Sequence, residues 1–187
     1  MPNRLTRIYT RTGDDGSTNL RKERFAKNHP LVATLGDLDE LNCAIGLVLS
    51  LEIADEKIKS CFIKIQNTLF DMGGELAEPE YHALTKEHVT ELENLLDEWN
   101  ATLSPLKEFL LPQGTPATVA CHLARTVCRR AERTLVTLHQ EEPLKNIEIL
   151  HYINRLSDLL FVAARKIGQG EETIWHPLKR KEENDIK

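Results

Sequence analysis

From Pro30 onward, apolar residues recur at intervals of three and four, and the period marks out five helical segments. The first covers about 30–51, with Leu31, Leu35, Leu38, Leu41, Ile45 and Leu49 on one face. The second covers about 55–77, carried by Ile58, Phe62, Ile65, Leu69, Met72 and Leu76. A third begins at Thr85, a good N-cap, with Leu84 and Val89 placed as a hydrophobic staple. Its inner side reads as Val89, Leu92, Leu96, Trp99 and Leu103. The stretch 104–114 holds Pro105 and Pro112, which restrict the residues before them and exclude a regular helix. Thr115-Pro116 joins a cap to a proline at the first helical position, so a fourth helix starts there and runs to about 140. Its apolar side reads as Val119, Leu123, Val127, Leu135 and Leu138. Pro143 opens a fifth helix, with Ile147, Leu150, Ile153, Leu160, Ala164 and Ile167 inside and Gly168 as its C′ glycine.

Outside these segments the period fails. Residues 1–29 are polar and contain glycine, and read as a structured loop or short extended segment; residues 169–187 read as a loose charged tail. The pattern predicts one all-α domain, a bundle of five helices over 30–168 behind an N-terminal loop. Composition agrees: aromatics are 5% of the chain, and nine glycines and eight prolines in 187 residues disfavour an all-β fold. The net charge of −5 argues against a nucleic-acid partner, which calls for a basic excess. No run approaches the ~18 apolar residues of a membrane span. Cys43, Cys61, Cys121 and Cys128 form no C-x-x-C pair and fall in apolar helical patterns, so buried free thiols in a reducing compartment are expected. The opening Met1-Pro2-Asn3-Arg4-Leu5-Thr6-Arg7 leaves no room for a signal or transit peptide, and a cytoplasmic protein is expected.

Against that acidic background one local feature is positive. Arg125, Arg129 and Arg133 share a face of the fourth helix at i, i+4 and i+8, with Arg130 and Glu132 beside them. Like charges so placed repel, and arginine forks fit phosphate oxygens. The stripe is either a solvated or ion-paired face or a seat for a polyanion. The segment Thr10-Arg11-Thr12-Gly13-Asp14-Asp15-Gly16-Ser17-Thr18 is either an Asp-Gly turn or a backbone nest for an anion, with aspartates that could hold Mg²⁺ through water. It is not a Walker loop, since no Gly-Lys-Ser/Thr follows. Asn154, Ser157, Asp158 and Phe161 line one face of the fifth helix and either cap neighbouring elements or orient a ligand. Asp37, Asp39 and Glu40 form an acidic turn near a helix start that either only answers the helix dipole or holds in Asp39 the counter-ion of an arginine elsewhere. A di-iron bundle needs two Glu-x-x-His pairs, and only Glu148 to His151 fits, so His151 reads as a surface or packing residue. His122 borders the arginine face. No Ser-His-Asp or Cys-His set and no zinc spacing is legible.

The order of these motifs resembles the PduO-type ATP:cob(I)alamin adenosyltransferases. The matching runs are Tyr9 to Thr18, Lys27, Gly36 to Asn42, Phe109 to Gly114, Ala124 to Arg133 and Tyr152 to Phe161, within about residues 8 to 168. The resemblance implies a homotrimer with active sites between subunits, taking ATP, Mg²⁺ and cob(I)alamin. Carried over by motif, Thr10, Arg11, Thr12, Gly13, Asp14, Gly16, Thr18 and Lys27 would hold the triphosphate. Arg129, Arg130 and Arg133 would add charge there, and Glu132 and Asn154 would contact the nucleotide or its metal. Asp39 would pair with Arg125 across the interface, and Phe109 would press on the lower face of the corrin.

The implied reaction moves the 5′-deoxyadenosyl group of ATP to Co(I) and releases triphosphate. It needs no protein nucleophile, and none is legible. The alternatives are a non-catalytic helical carrier that delivers ATP or adenosylcobalamin to a B12-dependent enzyme, and a scaffold with an ion-paired face. A reductase supplying Co(I) is a further implied partner. Two departures stand out: Asn19-Leu20-Arg21-Lys22-Glu23 replaces a glycine-rich stretch, leaving the order of 19–26 open, and Gln113 stands where many relatives have glycine.

Overall fold

The computed structural model describes residues 9–177 except Pro79. The expectations for the first seven residues and for the tail beyond 177 lie outside the described residues. Among the described residues five helices form: α1 (Pro30–Leu49), α2 (Glu56–Ala77), α3 (Lys86–Asn100), α4 (Pro116–Glu141) and α5 (Glu148–Ile167). Among the described residues no helix is long and apolar enough to cross a membrane.

Local chemistry sets most helix starts. The Thr115 hydroxyl accepts the Thr118 amide at 3.2 Å, with Pro116 following. Asp55 accepts the Lys57 amide at 2.8 Å, and the His29 ring accepts the Leu31 amide at 3.2 Å. At α3 the His88 Nδ1 accepts the Thr85 amide at 3.1 Å, and Leu84 and Val89 are both buried, as the staple requires. The fifth helix begins at Glu148 and not at Pro143. Asn146 explains the delay: its Oδ1 accepts the Glu148 amide at 3.0 Å while its Nδ2 donates to Glu75 and to the Leu84 carbonyl. Gly168 ends α5 with φ −75, and the left-handed residues are Gln169 and Gly170 beyond it.

The N-terminal segment is a hairpin, β1 (Ser17–Leu20) paired antiparallel with β2 (Glu23–Ala26), Thr18 facing Phe25. Residues 19–26 lie within this hairpin. Its two-residue turn sets Arg21 and Lys22 at φ 49 and 63, the positive values that match strand twist. The Arg21 guanidinium reaches the Leu76 carbonyl at 2.8 Å and Glu142, fastening the turn to the C-terminal ends of α2 and α4.

Helix α4 packs between α1 and α5, with α2 outside α1 and α3 outside α5. Its inner face buries Val127, Leu135 and Leu138, as expected, but is otherwise mostly small: Ala117, Ala120, Cys121, Ala124, Cys128 and Ala131. Small side chains let α5 approach until the Cys121 and Cys128 thiols donate to the Leu160 and Ile153 carbonyls at 3.3 and 3.4 Å. Burial pushes the Cys121 thiol up to about 12. Val119 and Leu123, expected inside, are exposed, because the alanine and cysteine face fills the available space. Cys43, also expected inside, is exposed on α1, whereas Cys61, Cys121 and Cys128 are buried.

Candidate active site

The segment before β1 is built for close backbone approach. A side chain at Gly13 would meet the Ser17 carbonyl at 3.1 Å and the Lys27 Nζ at 3.2 Å. Lys27 donates to the Gly13 carbonyl at 2.9 Å, which places its ammonium over the turn. Gly16 stands at φ +81, and Thr10 and Thr12 share a hydroxyl bond of 2.8 Å. Arg11, at φ 61, lies over the Tyr9 ring. Asp14 is exposed, and Thr18 sits in β1. Asp15 is exposed but bonded within the turn: the Ser17 hydroxyl and amide, then Arg24, hold its carboxyl below the usual range despite an opposing desolvation effect. Arg24, which the sequence reading missed, also donates to the Thr12 carbonyl at 2.8 Å and so braces the turn from β2.

On α4 the arginines separate into two groups. Arg130 is paired with Asp37 at 3.5 Å and with Glu40, both on α1. Arg125, Arg129 and Arg133 have no carboxylate partner among the described residues; Arg133 donates only to the Arg129 carbonyl at 2.9 Å. Arg129 and Arg133 are exposed, but Arg125 is half-buried and its Nε has no partner. Burial first, then the like charge of Arg129, lowers its pKa. His122, expected at the border of this face, is buried beside Phe161 with its Nδ1 unpartnered among the described residues; burial first, then the charge of Arg125, lowers its pKa. The reason for the burial is the tight α4–α5 approach, which the ring helps to fill. Glu132 and Asn154 are brought together: the Asn154 Nδ2 donates to the Glu132 Oε1 at 2.7 Å. Asp39 is exposed and makes no bond among the described residues. His151 is exposed and pairs with Glu148 at 3.2 Å.

Phe109 is 78% exposed, so it is not a packing residue of this chain. Its neighbour is Trp175, whose ring stands edge to face at 6.2 Å and whose amide donates to the Phe109 carbonyl at 2.7 Å. The segment read as the start of a loose tail is therefore docked as far as Trp175. The Leu111 amide donates to the Thr173 carbonyl at 2.8 Å, and Leu110 bridges Ile174. The only available signal was the apolar pair Ile174-Trp175 inside a polar stretch.

A loop shaped for an anion, a cationic stripe with no carboxylate partner among the described residues and an exposed aromatic on a pinned loop occur together in one chain. The family model for cobalamin adenosyltransferase matches residues 8–167. The chain belongs to the cobalamin adenosyltransferase family. A cobalamin adenosyltransferase of Cupriavidus metallidurans is 46% identical over 179 residues, covering 94% of this chain and 97% of its own. A corrinoid adenosyltransferase of Bacillus subtilis is 41% identical over 169 residues, covering 87% and 86%. A phenylalanine-to-alanine variant of the PduO-type ATP:corrinoid adenosyltransferase of Lactobacillus reuteri, solved with cobalamin and ATP, superposes with a TM-score of 0.86 at 36% identity. That match covers 91% of this chain and 100% of the Lactobacillus chain. The five-helix bundle is thus the fold of the PduO-type adenosyltransferases.

Proposed function

We propose that this chain is an ATP:corrinoid adenosyltransferase that moves the 5′-deoxyadenosyl group of ATP to cob(I)alamin and releases triphosphate. The observation that carries the reading is the set Arg125, Arg129 and Arg133, which have no carboxylate partner among the described residues while their neighbour Arg130 is doubly paired. A scaffold stabilised by an ion-paired face would have satisfied all four.

The roles follow from placement. The turn from Thr10 to Gly16, with Thr18 and Lys27, offers backbone amides and one ammonium to the triphosphate. Gly13 permits the approach. Arg129 and Arg133 meet the charge that grows on the departing triphosphate, and Arg130, held by α1, adds to the field. Glu132 and Asn154 face the nucleotide. Mg²⁺ would arrive on the phosphates, and Glu132 is the residue that would hold it. The corrinoid substrate brings its own nucleophile: Co(I) gives an electron pair to C5′, the C5′–O bond breaks, and that bonding pair leaves on triphosphate. The protein supplies position and electrostatics. Phe109 would cover the lower face of the corrin and exclude an axial ligand there, easing the reduction of Co(II) to Co(I) by a partner reductase.

The active unit is a homotrimer with sites between subunits. Two orphans support this: the buried Arg125 Nε and the bare Asp39 carboxylate, which a second copy would join. Leu47, Val119 and Leu123 lie exposed on α1 and α4. The hairpin turn is fastened at the C-terminal end of α4, and Phe109 precedes its N-terminal end; 26 residues of helix put about 39 Å between those ends. The buried thiols fit a cytoplasmic protein, and the product suits a B12-dependent enzyme.

The test is the anaerobic visible spectrum of cob(I)alamin mixed with the protein, Mg²⁺ and ATP. Conversion to adenosylcobalamin with equimolar triphosphate is expected. ATP binding without conversion would turn the reading to a carrier, and absence of both would make the stripe structural.

A further inference from the structure

We propose that Arg165 is a positioning residue for the corrinoid half of the site, acting through Glu172 to set the angle of Phe109. The proposal rests on the reading of Phe109 as the group beneath the corrin.

Arg165 lies in the last turn of α5, and its side chain is only 4% exposed. Its Nε donates to the Glu172 carboxylate at 2.5 Å, and its Nη2 donates to the Ser104 carbonyl at 2.7 Å. Those two partners begin the two chain segments that meet at Phe109. From Ser104 the chain leads to Phe109, where it begins an antiparallel pairing with the segment that leads from Glu172 to Trp175. The segments join backbone to backbone at Leu111–Thr173, Leu110–Ile174 and Phe109–Trp175. The result is a short antiparallel ribbon. One end carries the Phe109 and Trp175 rings, and one guanidinium ties the Glu172 that precedes its second strand to the Ser104 that precedes its first.

Phe109 is mostly exposed, with Trp175 the ring beside it, so its orientation is inherited from this ribbon. The tie at Arg165 therefore decides where the ring points. A fork is needed because two acceptors in different directions must be held at once, and an ammonium holds them less rigidly. The charge is buried, so losing Glu172 leaves a guanidinium without its counter-ion, and the strap loses its anchor. Arg165 also shares a helix with Asn154, which faces the nucleotide. Eleven residues of helix fix about 16 Å between the two positions. One rigid rod thus sets the spacing between the adenosine side and the lower corrin face.

The experiment uses the full-length protein with ATP, Mg²⁺ and cob(II)alamin. Glu172→Gln and Arg165→Lys are compared with Phe109→Ala and the Phe109→Ala/Glu172→Gln double variant, after circular dichroism shows that each is folded. The spectrum of bound Co(II) reports the fraction whose lower ligand is released. Turnover is measured twice, once from Co(II) with a reduced flavin supplying the single electron, and once from preformed Co(I). The expected result is a parallel loss in Glu172→Gln and Arg165→Lys: the released fraction falls, and Co(II)-started turnover drops about tenfold relative to Co(I)-started turnover. KM for ATP holds, and Glu172→Gln adds nothing in the Phe109→Ala background. A wild-type released fraction in both variants, beside a clear loss in Phe109→Ala, overturns the role of Arg165 and leaves that of Phe109 intact. Equal loss of both turnovers also overturns it, since that is what general loosening does. An unchanged released fraction in Phe109→Ala removes the wedge itself, and this proposal with it.

Discussion

Arg129→Ala separates charge from packing at the centre of the stripe. Arg129 is exposed, its side chain makes no hydrogen bond among the described residues, and only its carbonyl is used, by Arg133. The carbonyl survives the substitution. Arg125 and Arg133 stand one turn away on either side, and each like-charge pair costs about 0.2–0.5 kcal/mol. Removing the middle charge relieves both, and alanine is the best helix former. Stability should therefore change by no more than about 0.5 kcal/mol, roughly 2 °C in Tm for a chain of this size. Catalysis should behave otherwise. A donor aimed at charge that grows in the transition state is worth about 2.7–4 kcal/mol, so kcat should fall by about 10²–10³. Arg129→Lys should recover part of the loss, since it restores the charge without the fork. The assay is anaerobic conversion of cob(I)alamin with MgATP, run beside a thermal melt. A kcat within about threefold of wild type would refute the role given to the stripe. A Tm lower by more than about 5 °C would show instead that the arginine holds the fold.

Glu75 is buried and accepts the Ala83 and Leu84 amides at 3.1 and 3.0 Å and Asn146 at 2.8 Å. Burial pushes its carboxyl up, but the Leu84 amide, Asn146 and the Ala83 amide outweigh that and hold it below 4.5. The folded protein thus binds this proton less readily than the unfolded chain. The stabilisation is present above pH 4.5 and drains away as pH falls below it. Glu75→Gln should cost about 1–3 kcal/mol by urea denaturation at pH 7, with the deficit shrinking in acid; an equal deficit at both pH values would count against the carboxylate. Thr115→Ala should lose about 1 kcal/mol by removing the α4 cap, read as a Tm lower by roughly 2–4 °C. Lys22→Gly should act in the opposite direction, raising stability by up to about 1 kcal/mol, because the left-handed turn position at φ 63 strains any residue with a Cβ.

Much of the site was legible as a set of residues but not as an arrangement. The turn with Gly13 and Gly16, the arginine stripe and Phe109 all follow from motif order, because each lies within a short local run. The Glu132–Asn154 bond joins two helices, and no spacing along the chain announces it. The bracing by Arg24 was hidden for a related reason: its partners Thr12 and Asp15 become neighbours only when the hairpin closes. Trp175 and Arg165 were missed because the strap is held by backbone pairing and one buried ion pair, neither of which has a sequence period.

What the sequence determined by itself was the number of helices, their approximate spans and most of their starts. Those depend on a hydrophobic period and on caps that act within a few residues, such as Thr115 with Pro116 and Thr85 with Leu84 and Val89. Tertiary structure decided which residues of each helix turned inward. On α4 the periodic valine and leucine at 119 and 123 face out, while alanines and cysteines face in, because close approach to α5 is available only to small side chains. The same close packing buried His122 and half-buried Arg125, and the exposed flank of α1 took Cys43. Amphipathic period establishes that a helix has two faces. The volumes and hydrogen bonds of distant partners decide which face meets them.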